Sequence, residues 1–413
     1  MIRAFSRTQR GLLAGLASSA LLVSCNGGRE VLAWEETADG GTGDTFVPWY
    51  GGPPYYAQYT HGPATSEDSF PISVWLQEPS RAADFQAVGI NAFTGLWQGP
   101  TEEQLTSLAQ AAMPTICDQA GAFASHLADP TIRGWLQDDQ PDDAQLDAQG
   151  DYQPCVDPSA VSARYQAFTT TDATRPVQLQ LGRGLVDPNW EGRGTCAGQS
   201  GMYADYVRGG DILGAVLYPI NEGYPLAWIA QAVDTLSTLS EYRKPVVAVI
   251  EASHFVAAMP RPTPAQIRSE VWLALVHGAA GIEYYCHALP QTATDCLDDL
   301  ATRDGLRAIN QEVTSLAAVL NTQAVANGVT VSASTPIATR LARRGGLSYL
   351  FAVGASSGQS VTFTLRGFAS ASVEVIGEQR SIPASRGVFS DHFAAYAVHL
   401  YRIRPDSGDA GAN

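Results

Sequence analysis

Acidic, amide and aromatic side chains recur in this sequence directly after short apolar runs. Trp75, Gln77 and Glu78 end or follow the run 72–76, Trp97 follows 90–96, and Asp118 follows 114–117. The cluster Gln137-Asp138-Asp139-Gln140-Pro141-Asp142-Asp143 follows 132–136. Arg183, Asp187 and Trp190 come after 177–181, and Tyr218, Asn221 and Glu222 end or follow 213–218. Glu251, Ser253 and His254 come after 246–250, and Glu283, Tyr284, Tyr285 and His287 belong to or follow 282–285. Carboxyl groups gathered with indole and phenol rings suit sugar chemistry. The rings stack on the apolar C–H faces of pyranoses, and a carboxyl pair supplies an acid and a nucleophile or base. No phosphate-binding loop and nothing resembling HExxH is present. The cysteine spacings fit no zinc pattern, so neither metal nor organic cofactor is expected.

The elements that must hold these residues alternate. Each apolar run is short, rich in β-branched or aromatic residues and bounded by polar or turn residues, as strands are. Amphipathic stretches at 81–88, 102–111, 160–171, 226–239, 264–277 and 297–320 lie between and after them. Thr263-Pro264 reads as an N-cap followed by Pro at the first helical position. Eight such repeats predict an α/β fold, a closed (β/α)8 TIM barrel over 71–326, with its active site at the C-terminal ends of the strands. From 327 to 405 the pattern changes to period two, at 329–332, 338–342, 348–353, 360–365, 372–376 and 395–403. Gly345-Gly346 marks a hairpin turn between two of these. A small antiparallel β-sandwich is expected there, followed by a polar tail over 406–413.

The order of these features resembles the retaining glycosidases of clan A. There the fourth strand ends in an acid/base Glu and the seventh in a nucleophile Glu. Some barrels of this kind carry a Gly-Trp…Asp-Glu-Pro-Asp motif at the fourth strand. This chain has Gly134-Trp135-Leu136-Gln137-Asp138-Asp139-Gln140-Pro141-Asp142. The stretch Arg268…Glu270-Val271-Trp272…His277-Gly278-Ala279…Gly281-Ile282-Glu283-Tyr284-Tyr285 and the closing strand 396–403 add to the likeness, which spans about 72–403. The resemblance implies a glycoside hydrolase acting on an oligo- or polysaccharide, with Glu251 as nucleophile. Aligned on Trp135 and Pro141, the acid/base falls on Gln140, which is then expected to face Glu251 across the mouth. An amide cannot protonate a leaving oxygen at neutral pH. Three readings stay open. Asp138 or Asp139 takes the acid role, or the chain is a glycan-binding pseudoenzyme, or this copy carries a Glu→Gln change.

Around these, Trp75, Gln77, Trp97, Arg183, Trp190, Tyr218, Asn221, His254, Glu283, Tyr285 and His287 are expected to contact substrate. Each has a plainer alternative. Trp75 and Trp97 can be core residues of the mouth, while a buried role is harder to arrange for Trp190 in its loop; Glu283 can pair inside the barrel, and the histidines can be hydrogen-bonded loop residues. Trp49, Tyr50, Tyr55, Tyr56 and Tyr59 precede the barrel and either cover its side or bottom or line a cleft.

The first residues read as a targeting segment. Arg3, Arg7 and Arg10 precede a short apolar stretch ending in Leu22-Val23-Ser24-Cys25, which resembles a bacterial lipobox. A 1–25 signal peptide, acylation of Cys25, a tether and extension over 26–70, and export to a membrane surface are expected. Export permits disulfides. Cys286 and Cys296 bracket one loop, and Cys155–Cys196 is the favoured pair among the remaining three. The net charge of −16, with Lys244 the sole lysine, makes nucleic acid an unsuitable partner.

Overall fold

A computed structural model describes residues 44–405 except 146, 148, 150, 289–293 and 355–356. Cys25 and the tail from 406 lie outside the described residues. Eight strands close into a parallel barrel in sequence order: β1 (Ile72–Gln77), β2 (Ala92–Leu96), β3 (Thr115–Cys117), β4 (Ile132–Leu136), β5 (Val177–Leu181), β6 (Ile212–Val216), β7 (Val246–Glu251) and β8 (Gly281–Tyr285). β1 pairs with β8 through Ile72↔Ile282 and Val74↔Tyr284, which shuts the ring. Strands covered on both faces can be apolar throughout, and all six residues of β7 are buried.

The helical half of the repeat is uneven. Full helices Glu102–Gln110, Pro158–Thr171, Ala227–Leu239, Pro264–Val276 and Leu300–Ser315 follow β2, β4, β6, β7 and β8. After β3 and β5 the chain makes only 3-10 turns and one short helical turn, Tyr203–Tyr206. Neither stretch carries a long apolar stripe, and the one after β5 is also rich in Gly. The Thr263 cap forms as its sequence suggests: its side chain accepts from Gln266 N, and Gln266 reaches back to Thr263 N.

The segment 44–70 closes the barrel floor. Trp49 Nε1 donates to Gly278 O before β8, and Tyr55 Oη donates to Asp211 O before β6. His61 bonds Thr174 before β5, and Arg133 of β4 donates to Gly62 O. Tyr56 packs on Ile212 and Val247. These aromatic residues therefore sit at the strands' N-terminal ends, away from the catalytic face of such barrels.

The second region is an eight-stranded antiparallel sheet of order β10-β11-β16-β13-β14-β15-β12-β9. Its members are β9 (Val329–Ser332), β10 (Ala338–Arg344), β11 (Leu347–Val353), β12 (Gln359–Leu365), β13 (Ser370–Val375), β14 (Arg380–Ser385), β15 (Val388–Phe393) and β16 (Val398–Pro405). Between β14 and β15 a single register pair, Ser385↔Val388, joins the two halves. The sheet folds over there and encloses Leu350, Phe363, Val373, Phe389 and Tyr401. Two strands exceed the six expected. β14 holds Pro383 and an exposed–half-buried alternation, so it lacks a strand's apolar signal. The Gly345-Gly346 turn is present, with φ of 59° and 72°. Helix Pro264–Val276 carries the sandwich: Trp272 packs on Phe351 at 5.0 Å, and Arg268 donates to Val398 O.

Candidate active site

Glu251 is the last residue of β7 and has no exposed surface. Its carboxylate takes three N–H groups from the turn after β6. Ile220 N donates to one oxygen, while Asn221 N (2.9 Å) and Asn221 Nδ2 donate to the other. Asn221 is a brace, since Nδ2 also donates to Ser253 O and Oδ1 accepts from Phe255 N. Burial pushes Glu251 up to about 7, against the pull of these donors.

Behind it lies Glu270, from helix Pro264–Val276. Glu270 is fully buried, and neither carboxyl oxygen has a partner at good hydrogen-bond geometry among the described residues. Its side chain meets the Glu251 carboxyl and backbone, and burial with that neighbouring charge holds it protonated. Protonated and beside the Glu251 carboxyl, Glu270 is able to donate toward it. Glu270→Gln keeps a donor and should leave the pH profile nearly in place. Glu270→Leu removes it and should move the Glu251 limb upward. Equal profiles for both variants would show that Glu270 does not act on Glu251.

Glu283 lies inside the barrel. Gln178 Nε2 and Gln180 Nε2 of β5 donate to it at 3.0 and 2.6 Å. A glycine on β6, Gly214, makes room, because a Cβ there would lie 2.8 Å from Gln180 Cγ. Burial raises Glu283 to about 7, and the nearby Asp139 charge adds to the rise. Glu251 and Glu283 thus both start from 4.5 and end near 7. Between those values the folded chain holds more protons than the unfolded one. Their contribution to stability is complete below about 4.5 and is lost as pH rises through about 7. Urea midpoints at about pH 5 and about pH 8 check this, and Glu283→Gln should narrow the gap between them. A gap unchanged in that variant would contradict the assignment.

The loop after β4 separates the three candidate acid positions. Asp138 turns outward to Arg164 (3.6 Å), which also holds Asp118 (3.1 Å). Gln140 has φ of 42° and turns toward the end of β5. A Cβ on Gly182 would sit 2.8 Å from Gln140 Oε1. Gln140 Nε2 points back to Asp139 Oδ1 at 3.4 Å. Buried Asp142 pins this turn by accepting Gly182 N (3.0 Å) and Tyr203 Oη (2.6 Å). Asp139 lies near enough to Glu283, Tyr218 and Tyr285 that its charge helps to raise all three. Gln137 is structural, donating to Val161 O and Gly209 O.

Aromatic rings wall the mouth. Tyr218, Phe255 and Tyr285 meet edge to face at 4.4–5.3 Å, and Trp75 packs against them. His287 lies 5.3 Å from Tyr285 and 6.2 Å from Trp97, and Gln77 bonds His287. Burial lowers His287, so it is neutral. Tyr285 Oη is buried without a hydrogen-bond partner among the described residues. On the rim Arg183 lies over the rings of Trp190, Tyr224 and Trp228 at 5.1–5.5 Å and is paired with Asp187 and Glu222. His254 is 3.9 Å from Asp295.

Of the expected contacts, Trp75, Trp97, Arg183, Trp190, Tyr218 and His254 keep exposed surface, while Gln77, Asn221, Glu283, Tyr285 and His287 are buried. Phe255, Tyr224, Trp228 and Glu270 were not among the expected site residues. Tyr224 and Trp228 follow the sixth strand's carboxylate and were legible as rim aromatics. Glu270 reads in sequence as an ordinary helix position.

Cys155 pairs with Cys196 and Cys286 with Cys296, leaving Cys117 a buried thiol. The first bridge ties the loops after β4 and β5 that carry Asp139 and Trp190. Among the described residues no cluster of three or more His, Cys, Asp or Glu suits a metal ion.

The geometry defines a closed (β/α)8 barrel joined to an antiparallel β-sandwich, with carboxyl groups and aromatic rings at the barrel mouth. No family model matches the chain, and no curated protein matches it in sequence. Solved structures of similar shape include a GH30 endoxylanase from Clostridium papyrosolvens, 11% identical, TM-score 0.48, matched over 87% of this chain and 97% of that one. Another is an α-amylase from Geobacillus thermoleovorans complexed with acarbose, 12% identical, TM-score 0.46, over 83% and 99%. A third is a family 30 subfamily 8 xylanase from Clostridium acetobutylicum, 9% identical, TM-score 0.42, over 81% and 98%. At these identities no side-chain role carries over.

Proposed function

We propose that this chain is a retaining glycoside hydrolase acting on an oligo- or polysaccharide, with Glu251 as nucleophile and Asp139 as proton donor. The observation that carries the reading is Asp139 itself. It is the carboxyl after β4 that lies near Glu283, Tyr218 and Tyr285, among rings that suit a pyranose face. Gln140 is then a wall residue over Gly182, not a damaged catalytic group. Glu251 attacks the anomeric carbon as the anion that Ile220 and Asn221 hold in place. Asp139 gives its proton to the leaving oxygen, then takes one from the water that frees the sugar. The test is turnover of aryl glycosides and polysaccharides, with the anomer of the first product read by NMR. Retention supports the pair, and inversion removes Glu251 as nucleophile.

A second reading is favoured by one observation. Glu251 is fully buried and both its oxygens are already engaged. That suits a glycan-binding protein that has kept the barrel but not the reaction. Glycan binding with no turnover of any activated glycoside would select it.

We also propose export and anchoring through an acylated Cys25. Two acyl chains give stable attachment where one is marginal. Cys25→Ser should shift the protein from the membrane fraction to a soluble or unprocessed form. Unchanged fractionation would remove the anchor.

A further inference from the structure

Among the described residues, the arginines around the mouth are each buried or paired with a carboxylate. The loops after the eight barrel strands and the adjoining face of helix Pro158–Thr171 supply Arg81, Arg164, Arg183, Arg193 and Arg261; Arg208, in the last turn before β6, pairs with Asp205 at 3.0 Å, and Arg303, in the helix after β8, lies 3.8 Å from Asp304. Arg81 is bonded to Asp84 at 2.7 Å, and Arg164 to Asp118 at 3.1 Å and Asp138 at 3.6 Å. Arg183 is held by Asp187 at 2.9 Å and Glu222 at 3.3 Å, and lies over three aromatic rings. Arg193 has no exposed surface and lies against the Asp142 and Pro188 carbonyls and the Tyr203 ring. Arg261 bonds Asp295 at 2.8 Å. The sole lysine, Lys244, is on the opposite face, before β7, with Nζ on Val207 O and Gly210 O at 2.7 and 2.6 Å. The loops after β2, β3, β4, β6 and β8 contain no Lys or Arg at all. Their histidines supply little charge: His287 is held neutral by burial, and His126 is engaged by Glu102 and Asp129. Against these stand Asp118, Asp138, Asp139, Asp187, Glu222 and Asp295 on the same rim.

An anionic sugar brought here would lose water without gaining a cation and would meet like charge. Resting on the glycoside hydrolase reading above, we infer that the glycan bound at this mouth carries no carboxylate, sulfate or phosphate at the occupied positions. Recognition then falls to ring stacking and hydroxyl hydrogen bonds. Substituents that leave the sugar neutral, or give it an amine, are compatible with the rim, and uronates and sulfated sugars are not.

Affinity electrophoresis of the mature chain in gels containing single polysaccharides tests this. One set is neutral (mixed-linkage glucan, galactomannan, starch), one polyuronate (polygalacturonate, alginate) and one sulfated (carrageenan). Retardation by at least one neutral polymer is expected. The polyanions should bind about tenfold or more weakly at low salt, because the rim repels them. A polyuronate or sulfated polymer that binds as tightly as any neutral one overturns the inference while leaving a glycan site intact. Binding to none of the polymers removes the glycan reading and the charge inference with it. A second experiment asks for a gain. The double variant Asp187→Asn/Glu222→Gln releases Arg183, and it should acquire polygalacturonate retardation that high salt abolishes. If it folds, by its circular dichroism, and gains nothing, paired arginines are not what excludes anions and the inference falls.

Discussion

Asp139→Asn should lower turnover of an unactivated glycan by roughly 10²–10⁴-fold, the usual contribution of a general acid. Hydrolysis of an aryl glycoside with a good leaving group should suffer far less in its first step, because the phenolate departs without a proton. Deglycosylation should then become limiting, since the same group must activate water. Added azide needs no base and should restore turnover of the activated substrate. Gln140→Glu is the paired control. Gln140 lies over Gly182 with its backbone in the left-handed region, so a carboxyl placed there should change activity little. If Gln140→Glu instead raised activity by orders of magnitude, the proton donor would belong at position 140 and the place assigned to Asp139 would be wrong. Asp138→Asn separates the third candidate. Asp138 is bound to Arg164, so its loss should be mild.

The second large effect is expected at Glu251, in stability as well as rate. Glu251→Ala removes the attacking oxygen and orphans the Ile220 and Asn221 donors, which are satisfied by this carboxylate. Each buried donor left unpaired costs roughly 1–3 kcal/mol. Glu251→Gln is not a gentle replacement here. A carboxylate accepts at both oxygens, whereas an amide must turn its NH2 toward either Ile220 N or the Asn221 pair, donor against donor. Both variants should lose activity and melt earlier, and Glu251→Gln should recover little of the stability lost in Glu251→Ala. An isosteric amide with the parent melting temperature would show that the three N–H contacts do not hold the mouth together. For the parent protein, kcat/KM should rise with pH through about 7 as Glu251 loses its proton, then fall once Asp139 has lost the proton it must donate.

Much of this architecture was legible because it rests on period and punctuation. β4 and β5 are bounded as their apolar runs suggest, at Ile132–Leu136 and Val177–Leu181. The helix after β7 begins at the Thr263-Pro264 cap. What escaped had no apolar signal, as in β14 with Pro383, or depended on three-dimensional neighbours. The place of Glu251 at a strand end could be read from the run before it. Its Ile220 and Asn221 donors could not, since they arrive from another loop. Asp139 and Gln140 are adjacent, and their spacing from the apolar run does not separate them. In the structure they differ by the positive φ at Gln140, by its approach to Gly182, and by the reach of the Asp139 charge to Glu283. Glu270 is hidden for a different reason: helical spacing marks it as core-facing, but only the barrel shows that its neighbour is another carboxyl group.

The central claim is that Glu251 becomes covalently bonded to sugar. The most direct measurement is mass spectrometry of the protein after incubation with a panel of activated 2-deoxy-2-fluoro glycosides, followed by peptide mapping. One member of the panel should add a single glycosyl mass to the peptide containing Glu251, with no label in the Glu251→Ala variant. Turnover of the parent glycoside accompanied by label on Asp139 or Glu283, or by inverted product and no label, would contradict it.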